Sequence, residues 1–125
     1  MMFRDRFLPP YRSAVESGAV TAMSSFNDFM GIPASGSKWL LHTLLREELG
    51  FTGFVVSDYN AVHEMVRHAT AADGKDAACQ AMNAHLNMDM VYGDYLKYGE
   101  ELVKEGKVSE KRINQLCREV LAVTD

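Results

Sequence analysis

Cysteine is scarce: the chain holds two in 125 residues, Cys79 and Cys117. No CxxC pair and no Cys/His spacing for zinc occurs, which argues against a zinc module and leaves a disulfide or redox role as the lesser alternative. Both cysteines fall in helical patterns among apolar neighbours, so two buried free thiols are expected. Basic residues are also in deficit, 13 Lys and Arg against 17 Asp and Glu for a net charge of −4. They form no clustered basic face, which argues against nucleic acid as a partner. No run of about 18 apolar residues exists, so no membrane-spanning helix and no membrane partner are expected. The opening Met1-Met2-Phe3-Arg4-Asp5-Arg6 lacks the apolar core of a signal peptide, and none is expected on this chain. None of the four histidines, His42, His63, His68 and His85, pairs with a second at metal-ligand spacing. Packing or surface roles are expected for them, with His68, after the Asp58 loop, the one open to a ligand. The eight methionines form no regular stripe and read as core filler.

What is present is an ordinary globular balance, 47% hydrophobic and 24% charged. Strand patterns run from Val20 to Phe26, Gly53 to Asp58 and Leu86 to Val91, with starts 33 residues apart. Helical patterns fill the gaps, and that alternation predicts βαβ units with a parallel sheet. Helices are expected over Phe7 to Ser17, ended by Gly18, and over Lys38 to Leu49, capped by Ser37 and stopped by Gly50. A leucine stripe, Leu40, Leu41, Leu44, Leu45 and Leu49, marks the second. Asp73 opens a helix through Ala84 whose Ala77, Ala78 and Ala81 suit close packing on a sheet. Tyr95 to Lys104 is a further helix, ended by Gly106. The last starts at the N-cap Ser109, with Val108 and Ile113 at the two staple positions. No linker interrupts residues 1–125, which read as a single domain. Three strands do not close a (β/α)8 barrel, which takes about 250 residues. The chain is therefore either part of a barrel or a smaller open α/β sheet.

The strongest chemical feature is Gly53-Phe54-Val55-Val56-Ser57-Asp58-Tyr59, a buried strand that runs straight into a carboxylate. Reactive groups of barrels and open α/β sheets stand at the C-terminal ends of strands, where Asp58 lies. Alternation puts Asp58 and Val56 on one face, Ser57 and Val55 on the other. A carboxylate there can attack an anomeric carbon or hold a cation. It can equally cap a helix or shape a turn, and the residue pattern alone favours the cap. Asp89, in Met88-Asp89-Met90, is a second acid in a strand pattern, for which a structural hydrogen bond is favoured.

The wording of the sequence adds to its periodicity. Leu8-Pro9-Pro10-Tyr11, Met23-Ser24-Ser25-Phe26-Asn27, Gly31-Ile32-Pro33-Ala34, and Leu40-Leu41 with Leu45 through Asp58 resemble glycoside hydrolase family 3. The likeness is strongest to its bacterial periplasmic β-glucosidase branch. It continues through His68 to Asp73, Asn87 to Met90 and Gly106 to Ser109, so an ordered series covers nearly the whole chain.

This resemblance implies the later part of the family's catalytic barrel, a partial TIM barrel of about strands six to eight. It implies a retaining β-glycosidase acting on terminal β-linked glucosyl residues, with no metal or organic cofactor. Asp58 matches the nucleophile, Met23 and Phe26 match positions near the sugar subsite, and Tyr59 matches an aromatic position on the aglycone side. Phe26 stands where many relatives have tyrosine, Tyr59-Asn60 replaces Trp-Gly, and His85 replaces a glycine before the last strand. The family's general acid/base and its Lys-His sugar-gripping segment lie outside this stretch. Little or no activity is therefore expected of the isolated chain. A periplasmic or secreted parent is implied. Two other readings share the residues: a non-catalytic sugar-binding or scaffold fragment, and a small open α/β interaction domain. Uncovered sheet edges predict self-association.

Overall fold

A computed structural model describes residues 8–25, 28–29, 31–67, 69–90 and 93–124. Strand β1 (Thr21–Ser24) pairs in parallel with β4 (Phe54–Ser57), in the register Thr21↔Phe54 to Ser24↔Ser57. Gly53 makes this start possible. A Cβ there would lie 1.7 Å from the Val20 carbonyl oxygen, which accepts from Phe54 N at 3.1 Å. The third expected strand shrinks to one parallel bridge, Val56↔Met88. Val55 O accepts from both Asn87 N and Met88 N, so the ladder skips a step and cannot extend. Val91 lies outside the described residues. A short antiparallel pair that the sequence did not signal, β2 (Asp28–Phe29) and β3 (Ile32–Pro33), turns at Gly31 with φ 81°.

The helices follow their punctuation closely. Helix α1 (Leu8–Glu16) carries Pro9 and Pro10 in its first turn, where no amide partner is lost. Asp73 caps α3 (Gly74–Asn83) by accepting from Asp76 N at 2.8 Å. Ser109 Oγ accepts from Arg112 N at 3.1 Å to open α5 (Glu110–Thr124), and Val108 and Ile113 meet in one cluster as the staple requires. Helix α4 spans Asp94–Lys104. Gly50 and Gly106 sit past helix ends with φ 79° and 73°, a region in which glycine costs least. The segment Trp39–Glu48 differs from expectation: it is a π-helix, with Leu49 N donating to Leu44 O five residues back at 3.0 Å. Of the leucine stripe, Leu41 and Leu44 are the buried members, with Leu40 and Leu45 half-buried beside them. Helix α2 (Ala61–Arg67) was not foreseen, although Val62, Met65 and Val66 carry its spacing.

Two packed clusters make the core. One joins Val55 of the sheet to Leu41, Phe51, Val62, Met65 and the Ala77–Ala81 face of α3. The other joins Ala78 and Met82 to Leu102, Val108 and Leu116. Ala77, Ala78 and Ala81 are fully buried, which lets α3 approach its neighbours closely. The first cluster lies on the face of β4 that carries Val55 and Ser57. The opposite face carries half-buried Phe54 and Val56, Met23 at 55% exposure and Met88 at 39%. The cysteines correct an expectation: Cys79 is only half-buried, at the margin of the second cluster, and Cys117 on α5 is exposed.

A polar anchor ties down the N-terminal end of the sheet. The Arg46 guanidinium donates to Gly53 O (2.9 Å), Asn87 Oδ1 (2.8 Å) and Glu119 Oε2 (3.3 Å). Asn87 Oδ1 also accepts from Val55 N at 2.9 Å, and its Nδ2 donates to Leu116 O (3.0 Å) and Glu119 Oε1 (2.8 Å). Burial lowers the pKa of Arg46, and the Glu119 charge opposes that shift. One side chain from the π-helix thus fixes β4, the Met88 segment and α5 at once.

Candidate active site at the rim of the sheet

Asp58 stands one residue past β4. Its amide donates to Ser24 O at 3.0 Å, so the backbone hydrogen bonds of the β1–β4 pair carry on to the rim. Its carboxylate is half-buried, and Oδ1 accepts from the next amide, Tyr59 N, at 2.7 Å. That bond orients the carboxylate within the turn. The side chain does not take the role that sequence pattern alone favoured, because the amides opening α2 bond backbone carbonyls instead: Ala61 N to Asp58 O and Glu64 N to Asn60 O. By alternation Asp58 shares the more open face with Val56. Met23, the register partner of Val56, lies on that face one step below, and Tyr59 is 57% exposed beside it. Phe26 and His68 lie outside the described residues.

The neighbouring rim is built by buttressing bonds. Ser57 Oγ accepts from Met90 N at 2.8 Å, which holds the Met88 segment against β4 just below Asp58. Ser24 and Ser35 hydroxyls, both buried, lie 2.7 Å apart. Asp89 proves structural: Oδ2 accepts from Tyr95 N at 3.3 Å in the first turn of α4. Burial raises the Asp89 pKa, against the lowering effect of the backbone amides of α4. Two side chains that the sequence did not single out as a pair, His63 on α2 and buried Asp94 opening α4, meet at 2.9 Å (Nδ1 to Oδ2). They clasp the loop after Asp58 to the loop after Met88. Gly74 leaves the room for this, since a Cβ there would lie 2.8 Å from Asp94 Oδ1. The only advance signal was Gly93-Asp94 before a helical pattern. Among the described residues no His, Cys, Asp and Glu cluster is arranged to hold a metal.

Residues 1–123 match the Glycosyl hydrolase family 3 N terminal domain. The chain belongs to glycosyl hydrolase family 3. Among family relatives, a periplasmic β-glucosidase of Salmonella typhimurium is 39% identical over 98% of the chain, which spans 16% of that protein. A β-xylosidase of Formosa agariphila is 41% identical over 72% of the chain and 13% of its own length. The crystal structure of a β-glucosidase from Listeria innocua in complex with glucose superposes with a TM-score of 0.88 at 38% identity, covering 90% of this chain and 16% of that one. The chain therefore corresponds to about a sixth of these family 3 proteins, and its parallel strands with covering helices match their fold. The departure noted at His85 has a conformational consequence: its φ is 80°, the left-handed region where glycine is favoured.

Proposed function

We propose that this chain is the nucleophile-bearing segment of a retaining β-glycosidase, about the sixth to eighth barrel strands, with Asp58 as nucleophile. We take residues 1–125 as one unit of that barrel. The observation that supports the reading best is the position of Asp58: an oriented, half-buried carboxylate at the C-terminal end of a core strand, on the open face.

In such a reaction an Asp58 oxygen attacks the anomeric carbon as the bond to the leaving oxygen breaks. A general acid, supplied outside this segment, protonates the leaving group. The resulting glycosyl ester is cleaved by water at the same carbon, which restores the carboxylate. The Tyr59 backbone amide, through its bond to Oδ1, holds one carboxylate oxygen and leaves the other for the attack. Met23 and Tyr59, with Phe26, would line the sugar and aglycone sides. Terminal β-linked glucosides are the substrate class, in keeping with the glucose and laminaribiose complexes of the Listeria innocua enzyme. A periplasmic or secreted parent is in keeping with the periplasmic β-glucosidase of Salmonella typhimurium.

A chimera tests this: residues 8–124 replace the matching stretch of the Listeria innocua enzyme. It is expected to hydrolyse an aryl β-glucoside, and Asp58→Asn is expected to lower kcat by about a thousandfold or more. A 2-fluoroglucoside inactivator is expected to label the Asp58 peptide. An Asp58→Asn chimera with undiminished rate, or a label on another residue, would sink the assignment. The purified 125-residue chain alone is expected to show little hydrolysis.

A further inference from the structure

His85 carries two penalties. Its backbone lies at φ 80°, and its side chain is 2% exposed. Both ring nitrogens are engaged in return. Nε2 lies 2.8 and 3.0 Å from the two oxygens of Glu119 on α5. Nδ1 lies 2.8 Å from Nδ1 of His42 on the π-helix, with the rings stacked at 5.1 Å between centroids and 23° between planes. His42 Nε2 in turn lies 3.1 Å from Glu47 Oε1.

Proton placement follows from what each group can do. An ionised carboxylate only accepts, so His85 Nε2 donates to Glu119. Burial, with Arg46 and Arg112 adding to it against the opposing pull of Glu119, lowers the His85 pKa to about 4. His85 is thus neutral with its one proton on Nε2, and its bare Nδ1 accepts from His42 Nδ1 at 2.8 Å.

We propose that Glu47, His42, His85 and Glu119 form one hydrogen-bonded chain, in which His42 Nδ1–H donates to the bare Nδ1 of His85, and that this chain is an acid-released latch between the π-helix and α5. The groups facing the pair are Glu47 and Arg46 from the π-helix, Glu119 and Arg112 from α5, and Asn87, which shares Glu119. Adding a proton to His85 Nδ1 sets N–H against N–H across a 2.8 Å gap. The contact must then open, while Arg46 stays bonded to Gly53 and Asn87. The sign is fixed by linkage. A histidine whose folded pKa falls from 6.5 to about 4 binds fewer protons folded than unfolded between those values. Stability is present above pH 6.5 and is lost as pH falls towards 4. The latch lies at the N-terminal end of the sheet, away from the Asp58 rim, and does not depend on the glycosidase reading.

The test uses the 125-residue chain. Nitrogen-15 histidine spectra at pH 7 are expected to show one protonated Nδ1, on His42, and one bare Nδ1, on His85. The Tm is expected to fall by about 5 °C or more between pH 6.5 and 4. His85→Gly suits the backbone and removes the proton site, while His42→Phe keeps a stacked ring without the Nδ1 donor. Each is expected to at least halve the acid loss of Tm. A bare His42 Nδ1 in the spectra, or a wild-type acid profile in both variants, would overturn the proposal. The spectra decide it alone should a variant fail to fold.

Discussion

No side chain fits at Gly53, where even a methyl group would penetrate the Val20 carbonyl. Backbone cannot move aside as the end of a flexible side chain can. Gly53→Ala is therefore expected to cost about 3 kcal/mol or more, read as a lowered urea midpoint, by parting β1 from β4 at their first hydrogen bond. Asp89 makes the opposite case. Its pKa is raised by burial, so the folded chain holds its proton to higher pH than the unfolded chain does. Above the ordinary Asp range of about 3.9, ionisation then works against folding. Asp89→Asn keeps a side-chain oxygen to accept from Tyr95 N without the buried charge. It is expected to raise Tm at pH 7, with the gain vanishing near pH 3. A gain of equal size at both pH values would show that charge is not its cause.

At the level of the element, caps and stops were the most legible signals, because each is a local contest between one side chain and a few backbone groups. Asp73, Ser109, Gly50 and Gly106 all do what their neighbours in sequence imply. Ser109→Ala is expected to cost about 1 kcal/mol by chemical denaturation, since it strands one amide at the start of α5. What the sequence did not reveal depends on partners far along the chain. The third strand looked as regular as the second in alternation, yet its pairing breaks down where Val55 O accepts two successive amides. The π-helix hid because its leucines satisfy a helical stripe. The His63–Asp94 clasp spans 31 residues and has no local pattern. The position of Asp58 at the end of its strand was legible. Its bond to Tyr59 was not, because an aspartate at a strand end serves a turn, a cap or a substrate with the same letters.

For the molecule as a whole, the two faces of β4 differ sharply in what covers them. The Val55 face is sealed by helices, while Met23 and Met88 remain exposed across Val56 on the other. Uncovered apolar rows of this kind favour association. Sedimentation velocity of the 125-residue chain is expected to show association that grows with concentration, and Val56→Lys, on the open face, is expected to weaken it. A monomer at every concentration would rule this out.

The Arg46 anchor has a practical corollary. It grips the sheet at Gly53, Val55 and Asn87 through the π-helix and α5, whereas the turns after Ser57 and Met88 hang from the far end. A four-residue strand about 13 Å long separates the two. Substitutions at Tyr59 and Asn60, aimed at a new sugar with Asp58 kept, therefore leave the fastening of the chassis untouched, and such libraries can be screened without first repairing stability.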